Sequence, residues 1–277
     1  MKTSVHLFFG LLFTCAVAVA QGPPPPPPGS PCCWPPPPTG MVDWWTFDEP
    51  AGPTSSDFGG AVNNIGTDHG AIPRVTGEVG RAASFNGATW IDVTDQNEVN
   101  FLGDCVLDAA EPIGIDFWIR TKQGSGTVVV LDKRDRNGAN FLRGYEVYLS
   151  NGHVGFQMAT GNGNQICGSS GSACTNFTAT ALPSVANGQW HFVGITLSRC
   201  RGAQGLLYVD GLVQPFQPRV GDIVSHASLT IGRLSPSVGN SFFKGELDEL
   251  EFFKALLTKN DFDSIFNKKC AGKCRMY

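Results

Sequence analysis

The chain has 277 residues, 42% hydrophobic, 16% charged and 10% aromatic, with 34 Gly and 19 Pro. This is the profile of a β-rich globular chain with many turns, long enough for one large sandwich domain. Its 20 Lys and Arg against 24 Asp and Glu exclude a basic surface of the kind that holds nucleic acid by its phosphates.

Met1 to Ala20 joins an early Lys2, an apolar core from Val5 through Val17 and the pattern Ala18-Val19-Ala20 before Gln21. That is the layout of a secretory signal peptide, and its apolar run is shorter than a membrane span. The chain is therefore expected to be secreted and extracellular, with no membrane span. Losing Lys2 with the leader leaves 19 basic against 24 acidic residues, a net charge of −5. Gln21 to Gly40 holds Pro23 to Pro28, Cys32-Cys33-Trp34 and Pro35 to Pro38. Proline runs form an extended rod of roughly 3.1 Å per residue. Residues 21–40 read as a spacer, in preference to a ligand for proline-reading domains, and residues 41–277 as the folded domain.

Strands follow in order. Val42 to Phe47 opens the domain, and a Gly, Asn and Asp-rich loop runs from Asp48 to Gly70. Val79 to Gly87 and Trp90 to Val93 are expected to form a hairpin. Ile115 to Arg120, Val128 to Lys133, Tyr145 to Ser150 and His153 to Met158 come next, the last two joined at Asn151-Gly152. The longest strand pattern is Gly188 to Gly211, two apolar arms around a loop and then the turn dipeptide Asp210-Gly211. Leu229 to Arg233 and Gly245 to Phe253 complete the strands. One helix is predicted near the end: Thr258 and Asp261 resemble a capping box, with Phe262, Ile265 and Phe266 on the apolar side.

Eight cysteines remain after the leader: Cys32, Cys33, Cys105, Cys167, Cys174, Cys200, Cys270 and Cys274. An even number in a secreted chain predicts disulfides without fixing their pairing. Cys167 and Cys174 bracket a Gly-Ser loop that a local bridge would close easily. Cys32-Cys33 and Cys270/Cys274 flank the domain and would staple its ends if those ends meet. A four-thiolate zinc site from the same four is the rival reading, disfavoured by adjacent ligands and an oxidising compartment.

Several motifs, taken together in this order, resemble the laminin G-like, concanavalin A-like jelly-roll family. They are Val42 to Glu49, Asp57-Phe58-Gly59-Gly60 with Asn63, Asn64 and Gly70, and Gly77 to Gly87. Ile115 to Arg120, Gly188-Gln189-Trp190-His191, Leu207-Tyr208-Val209-Asp210-Gly211, Thr230 to Arg233 and Gly245 to Leu250 follow, over nearly all of Met41 to Cys274. The closing Ala271-Gly272-Lys273-Cys274 is similar to the tails of secreted bacterial members. The resemblance implies an all-β antiparallel jelly-roll β-sandwich with one short C-terminal helix. It also implies a structural calcium ion joining the first and last strands, with Asp48, Asp57, Asn63 and Asp248 as candidate ligands. In such a jelly roll Val42 to Phe47 lies beside Gly245 to Phe253, which brings Asp48 toward Asp248. Strand alternation puts Asp248 on the face of Leu250 and Phe252, pointing into the core, where a cation or hydrogen bonds must satisfy it.

Function has to be read from sites, because such sandwiches host lectins, adhesion modules and enzymes alike. Glu246-Leu247-Asp248-Glu249-Leu250-Glu251 matches the E-x-D-x-x-E strand of jelly-roll glucanases, with Glu246 and Glu251 as the carboxylate pair. Strict alternation places those two on opposite faces, and only a bulge would reunite them. Of Trp44, Trp45, Trp90, Trp118, Trp190 and Tyr148, at least four are expected in the core. Tyr148, on the face of Glu146 and Ser150, is the solvent-facing candidate. The charged loop Lys133-Arg134-Asp135-Arg136-Asn137-Gly138 offers Lys133, Arg134 and Asp135 for ligand recognition. His69, His153, His191 and His226 show no metal spacing. Asn176-Phe177-Thr178 is a glycosylation sequon expected at the surface. The expected role is a non-catalytic recognition module for a glycan or cell-surface protein, with no nucleic-acid partner and no oligomeric state readable. A glycoside hydrolase and a structural envelope or matrix component are the alternatives.

Overall fold

The computed structural model describes residues 38–103, 110–136, 142–161, 174–199, 202–218 and 221–268. The chain divides into residues 1–30 and 31–277, and the first unit lies wholly outside the described residues. The leader, nearly all of the spacer and every expected disulfide cysteine except Cys174 therefore fall outside them. Cys174 is disulfide-bonded. Among the described residues no helix is long and apolar enough to cross a membrane.

In chain order the strands are β1 (Met41–Trp45), β2 (Thr54–Ser55), β3 (Gly66–His69), β4 (Arg74–Thr76), β5 (Arg81–Asn86) and β6 (Trp90–Val93). Next come β7 (Ile113–Thr121), β8 (Thr127–Asp132), β9 (Asp135–Arg136), β10 (Leu142–Ser150), β11 (His153–Thr160) and β12 (Cys174–Thr178). The last are β13 (Trp190–Leu197), β14 (Gly205–Val209), β15 (Leu212–Phe216), β16 (Leu229–Ile231) and β17 (Lys244–Phe253), followed by helix α1 (Lys259–Phe266). One sheet runs β15-β14-β13-β7-β17-β5-β4 with β1 added to β17; the other runs β12-β11-β10-β8-β16-β6-β3-β2 with β9 added to β10. The pairings are antiparallel, and β1 lies beside β17 with Trp45 opposite Leu250, as expected for a jelly roll.

The core is made by alternation. Ile115, Phe117 and Ile119 of β7, Val193 and Ile195 of β13, and Leu247, Leu250 and Phe252 of β17 turn one way, to meet Val130, Val147, Phe156 and Ile231 of the other sheet. Trp118, Phe192, Tyr208 and Phe253 turn the other way and pack against Phe262 and Ile265 of α1. The first sheet is thus covered on both faces, which is why its strands read as nearly continuous apolar runs. Gly194 makes the contact possible, since a Cβ there would stand 2.7 Å from the Phe262 ring. The capping box is formed: the Thr258 amide donates to Asp261 Oδ2 at 2.7 Å, and the Asp261 amide donates to Thr258 Oγ1 at 3.3 Å.

The turns Asn151-Gly152 and Asp210-Gly211 have positive φ at both residues, 49° and 81° in the first and 49° and 90° in the second. That is the backbone twist a two-residue hairpin requires. Two expectations fail. Residues 79–93 do not form a hairpin, because β5 pairs with β4 and β17 in one sheet while β6 pairs with β3 and β16 in the other. The turn after Asn86 carries the chain across the sandwich, so that Phe85 and Ile91 enter the core from opposite layers. The loop between Asp48 and Gly70 contains β2 and β3, whose polar Gly-Thr-Asp-His sequence carries no strand period.

If α1 is held by its aromatic face, Phe262→Ala removes the ring against Gly194, Phe192 and Tyr208 and costs about 3 kcal/mol. Urea unfolding with near-ultraviolet circular dichroism checks this, the expected result being a lower midpoint at an unchanged slope.

Candidate functional site

Beyond the end of α1, the outer face of the first sheet carries side chains in one register row. Ser84 lies opposite Glu246, Glu246 opposite Arg120, and Arg120 opposite Trp190, across β5, β17, β7 and β13. Arg120 Nε donates to Glu246 Oε2 at 3.1 Å, and the guanidinium carbon lies 4.7 Å from the centre of the Trp190 ring. Held on two sides, Arg120 is fixed while its side chain stays 33% exposed. Beside it opens a cavity of about 710 Å³ lined by Ser84, Asn86, Arg120, Gln123, Lys244 and Glu246. The sequence signal for this site is the alternation of β7, which puts Arg120 on the face opposite the core-facing isoleucines.

The acidic strand behaves differently from simple alternation. β17 has a bulge between Asp248 and Glu251, with Glu249 at φ 51°. Asp248 stands opposite Trp118 and Glu251 opposite Asp116, so Glu246, Asp248 and Glu251 share the outer face. The bulge that a glucanase-type strand requires is therefore present. What separates the carboxylates is burial: Glu251 is 0% exposed, whereas Glu246 lines the cavity and is ion-paired to Arg120. The bulge also corrects the placement of Asp248, which leaves the face of Leu250 and Phe252 and lies under the turn 77–81.

That turn links two of the four acids and amides expected to hold calcium. The Val79 amide donates to Asp248 Oδ2 at 2.8 Å and the Arg81 amide to Asp48 Oδ1 at 2.7 Å. Gly77 and Gly80 sit so close to these carboxylates that added Cβ atoms would stand 2.4 and 2.2 Å from them. Asp248 Oδ1 is buried without a hydrogen-bond partner. Burial, with the charges of Glu249 and Asp48, pushes the Asp248 carboxyl up to about 9. Asp48 and Asp248 are the two candidates that this turn brings together. Asp57 and Asn63 do not join them: both Asp57 oxygens are taken by the amides of Trp44, Gly59 and Asn64, and Asn63 is exposed. Among the described residues no group of three His, Cys, Asp or Glu converges as a metal site.

The recognition residues expected on the second sheet are mostly buried. Tyr148 is 5% exposed, its hydroxyl bonded to Asn176 and Thr178. It stays on the outer face with Glu146, opposite the core-facing Val147 and Leu149, and is covered because its ring lies over Gly155 on the neighbouring strand. Lys133 is 1% exposed and its ammonium donates to Asp95 and to the carbonyls of Ser225 and Ala227. Arg134 is pinned between Asp132, Glu146 and Gln157. Asp135 is half-buried in β9. These groups hold loops onto the sheet. Burial raises Glu146 to about 7, with the Arg134 charge opposing and the Asp132 charge adding.

Four of the six aromatic candidates are buried, Trp44, Trp45, Trp118 and Tyr148, the last being the one expected to face solvent. Trp90 has both faces covered, by the His69 ring at 4.6 Å and Arg233 at 4.6 Å. Trp190 is half-exposed and packs its ring against Arg120, which lines the cavity. The histidines are engaged separately: His69 with Asp92, His153 with the Leu182 carbonyl, His191 with Asp210 and Asn187, His226 with Asp95. Asn176 is exposed, as a sequon requires.

Two antiparallel sheets with an open cavity on one outer face make a jelly-roll sandwich. Within that class, the family model for the concanavalin A-like lectin/glucanases superfamily matches residues 85–261, and the chain belongs to this laminin G-like family. No match was found among curated protein sequences. Among solved structures, the binding domain of Paraclostridial Mosquitocidal Protein 1 is similar at TM-score 0.59 and 15% identity, over 83% of this chain and 52% of that one. The binding domain of botulinum neurotoxin DC, solved in complex with SialylT, is similar at TM-score 0.58 and 14% identity, over 83% and 51%. A botulinum neurotoxin type C structure, whose toxin's cell entry depends on two ganglioside molecules, matches at TM-score 0.58 and 14% identity, over 83% and 51%. The chain spans about half the length of these domains, and the likeness is one of fold.

One further acid sets a pH dependence. Asp43, on the core side of β1, accepts from the Asn64 side chain, and burial with the charges of Asp57 and Glu98 pushes it up to about 8 from 3.8. Asp248 moves the same way, from 3.8 to about 9. For an acid raised in the folded state, the stabilisation is complete below the unfolded value and is lost as pH rises to the folded one. The urea midpoint in chelator is therefore expected to fall between pH 5 and pH 9. Asp43→Asn should flatten that fall by more than about 1 kcal/mol, measured by urea titration at each pH.

Proposed function

We propose that this protein is a secreted, non-catalytic recognition module that binds a glycan in the cavity lined by Ser84, Arg120 and Glu246, with Trp190 packed against Arg120. The observation that carries the reading is Arg120, fixed between a carboxylate and an indole at the edge of a cavity of about 710 Å³. Pockets of this size enclose small ligands, while protein partners engage wider, flatter surfaces. Sugar recognition calls for fixed polar groups with an aromatic edge, and pre-set side chains lower the entropy cost of binding. The non-catalytic assignment is supported by the burial of Glu251 and the pairing of Glu246 with Arg120, which leave no carboxylate pair in an open cleft. It is also supported by the relatives, several of which are receptor-binding domains of toxins. Secretion rests on the leader sequence.

Replacing Trp190 with Ala or Arg120 with Gln should weaken glycan binding by about tenfold or more, while far-ultraviolet circular dichroism stays native. A glycan array followed by calorimetry on the bound sugars provides the measurement. Unchanged affinity in both variants would remove the cavity from the proposal.

Calcium is proposed between Asp48 and Asp248 at the turn joining β4 to β5, where it would take the place of the proton that burial keeps on Asp248. Bound there, it supplies positive charge to a seam where β1 and β5 both meet β17. EDTA is expected to lower the melting temperature by several degrees, and Asp248→Asn to make melting indifferent to both calcium and EDTA. Differential scanning calorimetry in calcium and in chelator reads both.

A further inference from the structure

The charged groups that line the cavity are mostly basic: Arg120, Lys122 and Lys244 against Glu246. Asn86 and Gln123 both line it, and in each the side-chain oxygen is already occupied: Asn86 Oδ1 accepts from the Ala88 amide at 2.8 Å and Gln123 Oε1 from the Lys244 amide at 2.6 Å. Each offers its NH2 group as a donor, with one lone pair left on its oxygen. Lys122 and Lys244 line the same cavity, both are exposed, and among the described residues neither has an ion-pair partner. The Lys122 stem lies along Gly188, which also lines the cavity, close enough that a Cβ there would stand 2.9 Å from Cε. Glu246, the one carboxylate among the lining groups, is already bound to Arg120. Three cations thus face one acid in a chain whose net charge is −4. A neutral sugar alternates donors and acceptors and has no use for two unpaired ammonium groups.

Building on the glycan-binding reading, we propose that the cavity selects an acidic glycan, whose carboxylate or sulfate is held by Lys122 and Lys244 while Asn86 and Gln123 donate to neighbouring oxygens. Charge-assisted bonds of this kind are the stronger polar contacts, and Lys serves them as a compact point charge.

The test compares three probes by isothermal titration calorimetry on the full chain: a galacturonate trisaccharide, a chondroitin sulfate tetrasaccharide and neutral chitotriose. At least one acidic probe should bind, with affinity falling as salt rises from 50 to 300 mM, and chitotriose should bind at least about tenfold more weakly. Lys122→Gln with Lys244→Gln should weaken the acidic probe by about tenfold; both side chains are exposed, so the fold is unaffected. Chitotriose binding as tightly as the acids, lost in Trp190→Ala, would overturn the acidic class and leave the cavity as a glycan site. Acidic binding undiminished in the lysine double variant would overturn the assignment to this cavity. If none of the three probes binds, the acidic class and the glycan reading both fall.

Discussion

The bulge at Glu249 is the constraint on which the architecture turns. β17 pairs with β1 at one end, with β5 at the other and with β7 along its length, so it joins the opening of the domain to its centre. A regular strand from Lys244 to Phe253 would bury either Leu247 or the pair Leu250 and Phe252, never all three, because a one-residue step reverses every side chain. The extra residue, held at φ 51°, resets the alternation. The core keeps its three apolar groups, and three acids are delivered to the outer face. Their different fates follow from what covers each. Glu246 lies beyond the end of α1 and meets Arg120, Asp248 lies beneath the turn 77–81, and Glu251 is fully buried.

Charged groups elsewhere are spent on holding loops. Arg199 is 0% exposed and donates to the carbonyls of Phe101, Leu102 and Gly221, tying together segments far apart in the chain. Lys133 does the same for Ser225 and Ala227, and Arg134 for the polar face of β8, β10 and β11. A guanidinium or ammonium has several donors and no acceptor, so one buried cation can satisfy several carbonyls that lack a strand partner. Arg120, Lys122 and Lys244, by contrast, stay at the surface and line the cavity beside β7. The proposed site therefore sits on strands, whose side chains are fixed by register, and not on the long loops.

The sequence by itself determined the class of fold. Long apolar alternation in β7, β13 and β17, the Asn-Gly and Asp-Gly turns, and Thr258 with Asp261 are local signals, set by side-chain period and backbone sterics within a few residues. They specify strands, turns and a helix start regardless of what surrounds them, and the order of motifs then identifies the family. The adjacency of β1 and β17 followed from that family order.

Tertiary structure decided everything that depends on which surface covers a residue. Tyr148, Lys133 and Arg134 look like recognition groups in a string of letters, yet loops packed on the second sheet take them out of solvent. The split of residues 79–93 between two sheets was invisible because a tight turn after Asn86 looks the same whether the chain returns beside itself or crosses the core. The bulge was hidden too, since alternation gives no notice of the residue that breaks it. Arg120, Glu246 and Trp190 lie on three strands separated by up to 126 residues, and only pairing across β17, β7 and β13 makes them neighbours. Local period is a property of the chain, whereas a site on a sheet belongs to the register between strands, which long-range packing alone sets.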